Sequence, residues 1–145
     1  ASPGGHPKDI NVYQAQKGLA HASLVARPGA PIVLCAACPD GAGSEKYERW
    51  VAARSSTEQV LADFAREGFH VGPHKAFQIA RDAVGRRVIL VSDMEAAQVG
   101  RLLLEPAAGA QEAVDAAVAG LPAGARVAVM PIANATVPRI AGEAG

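Results

Sequence analysis

The sequence predicts an α/β fold, a three-layer sandwich with a mostly parallel sheet flanked by helices, and three observations carry that prediction. Three short unbroken apolar runs, "PIVLCAA" (31–37), "RVILVSD" (87–93) and "RVAVMPI" (126–132), are rich in Val and Ile, and runs without alternation suit strands buried on both faces. Helix-like segments separate the runs, the pattern that gives parallel strands joined by crossovers. At 145 residues the chain has the length of one ordinary domain.

The first eight residues, "ASPGGHPK", lack Met and are rich in Gly and Pro. They read as a linker or hinge end, mobile when the domain stands alone, and suggest a piece of a longer protein. A helix is expected from Asp9 as N-cap to about Ala26, where "RPG" stops it. Val12, Ala15, Leu19, Ala22 and Ala26 fall on one stripe that packs on the sheet. Tyr13, Gln14, Lys17 and His21 gather on the other side, since residues three and four apart are helix neighbours. That side is either a solvated face or one roofed by a ligand or another domain. Gly18 favours the roof, because a mid-helix Gly costs about 1 kcal/mol relative to Ala and admits close approach to the backbone.

After the first strand, "PDGAGS" places Gly41, Gly43 and Ser44 at a carboxyl strand end and before a helix, where open α/β sheets bind ligands. These three are candidate cofactor-binding residues, and a plain turn is the alternative. Cys35 and Cys38 in "CAAC" read as small apolar fillers. The first sulfur sits inside a strand, and zinc needs about four ligands. Further helices are expected over 43–54, 56–68, 73–85, 94–103 and 110–121. The helix expected over 73–85 opens on "GPHKAF", where His74 and Lys75 at a helix N-terminus suit an anion; a plain surface histidine is the alternative. "VGP" between His70 and His74 breaks helical spacing, so no metal pair is expected there. The tail 141–145 reads as frayed.

Composition narrows the function classes. Fourteen basic against fourteen acidic residues leave no net charge, and aromatic residues make up 4%, so neither a phosphate-gripping surface nor stacking platforms are available; nucleic acid is not an expected partner. No apolar run approaches the roughly 18 residues that span a bilayer, and the first residues lack a secretion signal. A cytoplasmic protein with no membrane partner is the expectation.

The segment "KDINVYQAQKGL" resembles the DIN-x-YQ-x-x-K signature that opens the C-terminal domain of the nickel-dependent lactate racemase family. The resemblance continues through "CAACPDGAGSEKYERWV", "GPHKAFQIAR", "VILVSDME" and "VAVMPIANATVP", nearly the whole chain. It implies that 9–140 form the C-terminal α/β domain of a two-domain isomerase with its active site between the domains. It also implies a nickel-pincer nucleotide on the larger N-terminal domain, which takes a hydride from the hydroxyl-bearing carbon, with two histidines there as alternating acid and base. Matched by position, Tyr13, Gln14 and Lys17 fall on the YQxxK motif. The resemblance implies catalytic roles for Lys17 and Gln14, with Lys17 holding a carboxylate or offsetting charge on oxygen. Tyr13, His74 and Lys75 are the implied substrate-binding residues.

The implied partners are the N-terminal racemase domain and a small 2-hydroxyacid. Neither a metal nor the cofactor is expected on this chain alone, and the chain alone is expected to be inactive. Two rivals remain: a free-standing α/β module binding a small molecule or nucleotide through Gly41–Ser44, and a protein-interaction domain using the polar helix face.

Overall fold

The computed structural model describes residues 1–138, and the tail expected over 141–145 lies outside them. Helix α1 (Val12–Val25) is followed by β1 (Ile32–Cys35), then α2 (Glu45–Ala52), α3 (Thr57–Glu67) and α4 (Pro73–Ala83). β2 (Val88–Val91), α5 (Ala96–Arg101), β3 (Glu105–Ala107) and α6 (Ala110–Val118) complete the regular structure, with a 3-10 turn at Ala133–Ala135. The strands lie in the order β1-β2-β3, both pairs parallel, with Ile32 opposite Val88 and Ile89 opposite Glu105.

Burial explains the layering. Ile32, Leu34, Val88 and Leu90 meet Val12, Ala15, Leu19 and Ala22 of α1 and Ala76, Ile79 and Ala80 of α4 in the main core. Successive strand residues face opposite ways, so Val33, Ile89 and Val91 point to the other layer, where Ala113 and Ala117 of α6 cover them. A fully buried Tyr47 anchors α2 in the main core. Side-chain oxygens of Asn11, Ser44 and Ser56 cap α1, α2 and α3, satisfying amides that have no intrahelical partner.

One expectation about strands and one about the first helix need correction. No strand forms over 126–132: Val127 is 62% and Val129 81% exposed, so most of this apolar run lies on the surface, and Met130 alone of its residues joins the main core. The third strand is "EPA" at Glu105–Ala107 instead. It is too short and too polar to announce itself, and Pro106 is tolerated because β3 is an edge strand. Arg87 fastens it to β2 with a bidentate pair to Glu105 at 2.7–3.0 Å. The α1 cap is Asn11, whose Oδ1 accepts from Gln14 N–H at 3.0 Å; Asp9 accepts through its backbone carbonyl from Cys38 N–H.

The first three residues pack on the fold, whereas Gly4, His6, Pro7 and Lys8 are exposed. Ala1 pairs with β1, its N bonded to Val33 O at 2.7 Å and its O accepting from Cys35 N–H at 2.8 Å. Ser2 N–H donates to Met130 O, and Ser2 O accepts from Ala133 N–H, so the segment bridges β1 to the chain's last described turn. Pro3 is fully buried. Gly18 finds its partner here: a Cβ on it would lie 3.4 Å from Pro3 Cα and 3.4 Å from Asn134 Oδ1. The close approach is made by the chain itself, not by a ligand.

These contacts are van der Waals distances, so Gly18→Ala is expected to change stability by less than about 1 kcal/mol, helix propensity offsetting the tight fit. Gly18→Leu is expected to cost about 1–3 kcal/mol through overpacking, both read by urea denaturation. A second outcome concerns Cys38, whose thiol is pushed up to about 12 from the ordinary value near 9, first by burial and then by Asp9 and Asp93. The folded thiol keeps its proton where the unfolded one ionises, so its stabilising share is complete below pH 9 and lost as pH rises toward 12. The urea midpoint should therefore fall more steeply over that window in the parent than in Cys38→Ala.

Candidate functional site

The start of α1 is built on the loop after β1. Val12 N–H donates to Gly41 O at 3.0 Å and Tyr13 N–H to Ala42 O at 3.1 Å, so the loop's carbonyls close the helix N-terminus. Gly41 N–H is itself spent on Cys38 O, and Ser44 Oγ accepts from Tyr47 N–H. Gly43 sits at φ +78 with Asn11 side-chain atoms 2.3–2.6 Å from where a Cβ would be, so a side chain there would displace the cap. The loop from Gly41 to Ser44 thus braces the start of α1, which carries Tyr13; the Gly41 amide is spent within the loop, while the amides of Gly43 and Ser44 make no backbone hydrogen bond among the described residues.

The second element is the start of α4. Gly72 adopts φ +105, and a Cβ on it would meet Lys46 Cβ at 2.7 Å; Pro73 then occupies the first helical turn, where its missing N–H costs nothing. This directs His74 and Lys75 at α1. Tyr13 Oη lies 3.2 Å from His74 Nε2, and the rings meet edge to face with centroids 5.9 Å apart. Lys75 Nζ sits 4.4 Å from the Tyr13 ring centroid, a cation–π arrangement.

Lys75 is only 5% exposed and lies behind Tyr13. Its ammonium donates to Gln16 Oε1 at 3.1 Å. Gln16 Nε2 donates onward to Asp82 Oδ2 at 3.0 Å, and Arg81 Nε closes on Asp82 Oδ1 at 2.8 Å. Burial lowers the Lys75 pKa, nearby Lys17 lowers it further, and Asp82 opposes both. Sequence reasoning missed Gln16 and Asp82. The signal for Gln16 was present: it falls four residues after Val12 and three before Leu19, inside the apolar stripe, so it had to be buried and to find partners.

On the outer side, Lys17 Nζ donates to Gln14 Oε1 at 2.9 Å. That contact assigns the amide orientation and leaves Gln14 Nε2 as an outward donor. Lys17 is exposed and keeps further N–H groups. Tyr13, Gln14, Lys17, His74 and Lys75 are therefore brought together, while Gly41, Gly43 and Ser44 are joined to them only through the brace. His21 turns away to Ala133 O, and His70 to Glu67 O.

Ammonium, amide and phenol groups that present N–H or O–H suit a ligand rich in acceptors, such as a carboxylate or an oxyanion. Among the described residues no group of three or more His, Cys, Asp or Glu side chains could hold a metal, and no helix is long and apolar enough to cross a membrane. The donor set fits oxygen atoms of a substrate or cofactor, not the ligation of a metal ion.

Comparison with known proteins bears on the family of the domain. A family model described as the lactate racemase C-terminal domain matches residues 1–137. The lactate racemase of Lactiplantibacillus plantarum is 30% identical over 132 residues, 88% of this chain and 31% of that protein. That of Thermoanaerobacterium thermosaccharolyticum is 30% identical over 95 residues, 63% of this chain and 22% of that protein. The structure of the lactate racemase apoprotein from the same Thermoanaerobacterium species superposes with a TM-score of 0.90 at 26% identity, covering 96% of this chain and 34% of that one. The chain thus spans about a third or less of the relatives it matches.

The buried polar bridge has its own test. Gln16→Leu removes the carbonyl that Lys75 uses and the amide that Asp82 uses, leaving two buried charges less well paired. A loss of about 2–4 kcal/mol in unfolding free energy is expected, measured by urea denaturation at neutral pH.

Proposed function

The chain belongs to the lactate racemase C-terminal domain family, and from that premise we propose that it forms one wall of an active site in a 2-hydroxyacid racemase or epimerase, facing an N-terminal domain of the same protein. The observation that supports this reading most is the face of α1 on which Gln14 and Lys17 pair side by side beside the Tyr13 hydroxyl. A ligand covered by a second domain there would lose water, and charge-assisted hydrogen bonds gain strength in a dehydrated site.

In this reading the Lys17 ammonium holds the carboxylate of the hydroxyacid or offsets charge on its oxygen. Gln14, its Oε1 already engaged by Lys17, donates through Nε2 to a second oxygen and fixes the angle of the substrate. Tyr13 donates from its hydroxyl, and His74 and Lys75 contribute to substrate binding through Tyr13, which they hold from behind. A nickel-pincer nucleotide held by the remainder of the protein would supply the acceptor and donor of the hydride. The residues of this chain bind, orient and exclude water; proton transfer at the hydroxyl belongs to groups outside it. Closure of the two walls is the step that keeps the reacting carbon dry.

Lys17→Ala in the racemase-length protein should lower racemisation of the 2-hydroxyacid by about 100-fold to 1,000-fold, the scale for removing one electrostatic donor, with bound nickel unchanged by metal analysis. Unchanged turnover would remove Lys17 from the site. Loss of nickel would mean instead that this domain helps retain the cofactor.

A further inference from the structure

The His74 ring makes two hydrogen bonds whose directions can be worked out from one of them. Gly72 N–H lies 3.1 Å from His74 Nδ1, and a backbone amide can only donate. Nδ1 is therefore the acceptor, and in the neutral imidazole the proton must sit on Nε2. Nε2 is the atom 3.2 Å from Tyr13 Oη, so the imidazole donates and the phenol accepts. The hydroxyl proton of Tyr13 is left unspent.

The imidazole has little freedom to do otherwise. The Phe69 ring lies 5.4 Å away on a tilted plane, Tyr13 meets it edge to face, and Gly72 is held by a backbone conformation few other residues adopt and by its packing on Lys46. Among the described residues His74 is the only hydrogen-bond partner of Tyr13 Oη. Lys75 pins the Tyr13 ring from behind, and the half-buried Tyr13 keeps one edge accessible.

We infer that His74 is a positioning residue that makes Tyr13 an obligate hydrogen-bond donor toward the ligand, selecting a ligand atom that can only accept. A carboxylate or carbonyl oxygen satisfies that demand, whereas an amide N–H at the same place is disfavoured, since it would compete with the imidazole N–H for the phenol oxygen and leave the hydroxyl proton unpaired. This rests on the proposed function for the identity of the ligand, but the tautomer it requires belongs to the free chain.

Long-range proton–nitrogen correlation on the uniformly 15N-labelled chain reads that tautomer. Protonated Nε2 with bare Nδ1 is the expected pattern; protonated Nδ1 would overturn the inference whatever the protein's activity. In the racemase-length protein, His74→Asn keeps an acceptor for Gly72 but loses the donor to Tyr13, while His74→Gln keeps an amide donor at the reach of Nε2. His74→Asn is expected to raise the KM for the 2-hydroxyacid about tenfold, the equivalent of one hydrogen bond, and His74→Gln to restore most of it. Combining His74→Asn with Tyr13→Phe should add nothing to Tyr13→Phe alone. Additive losses would mean that His74 acts on the ligand independently and would overturn the positioning role. Absence of racemisation in every form, parent included, would remove the proposed function and leave the tautomer to decide the inference.

Discussion

The buried bridge from Lys75 through Gln16 to Asp82 is the constraint on which the site depends. It joins α1 to α4 by two hydrogen bonds of 3.1 and 3.0 Å, and those two helices carry all five residues that converge. An ammonium and a carboxylate taken out of water lose several kcal/mol of hydration each. They recover it only if the helices stay in the register that lets Gln16 serve both. Apolar packing between Leu19, Ala76 and Ile79 would tolerate small slides of one helix on the other; this chain of polar contacts would not. The position of Tyr13 opposite His74 follows from that register.

Around the bridge, each local feature has a cause that feeds the same face. The carbonyls of Gly41 and Ala42 occupy the first amides of α1, so the helix begins at a fixed residue and Tyr13 begins at a fixed angle. Gly72 lets α4 start against Lys46, bringing His74 within reach of the phenol. Pro3 and Asn134 press on Gly18 and hold the far half of α1 down. What remains outward is Gln14 and Lys17, which spend one hydrogen bond on each other and keep the rest.

Much of this was legible in the sequence, and the misses have physical reasons. The stripe Val12, Ala15, Leu19 and Ala22 is buried as its spacing requires, and β1 and β2 were visible because strands covered on both faces must be continuously apolar. The third strand was not, since an edge strand of three residues with a proline has no such requirement. "RVAVMPI" misled for the converse reason: apolar composition does not show whether a partner covers it. Gly18 announced a close approach, but a sequence does not say whether the approaching atoms are a ligand's or the chain's own. Gln16 was the overlooked clue, a polar residue within the apolar stripe whose partners, Lys75 and Asp82, lie 59 and 66 residues away.

The central claim is that the face formed by Tyr13, Gln14 and Lys17, oriented by His74, receives an acceptor-rich anion, while the Gly41–Ser44 loop serves the fold. An NMR titration of the labelled chain with lactate, set against the same titration with lactamide, tests it directly. Saturable shifts confined to Tyr13, Gln14, Lys17 and His74, produced at lower concentration by lactate than by the neutral amide, are the predicted result. Shifts centred on the amides of Gly41, Gly43 and Ser44, or an equal response to both compounds, would contradict it.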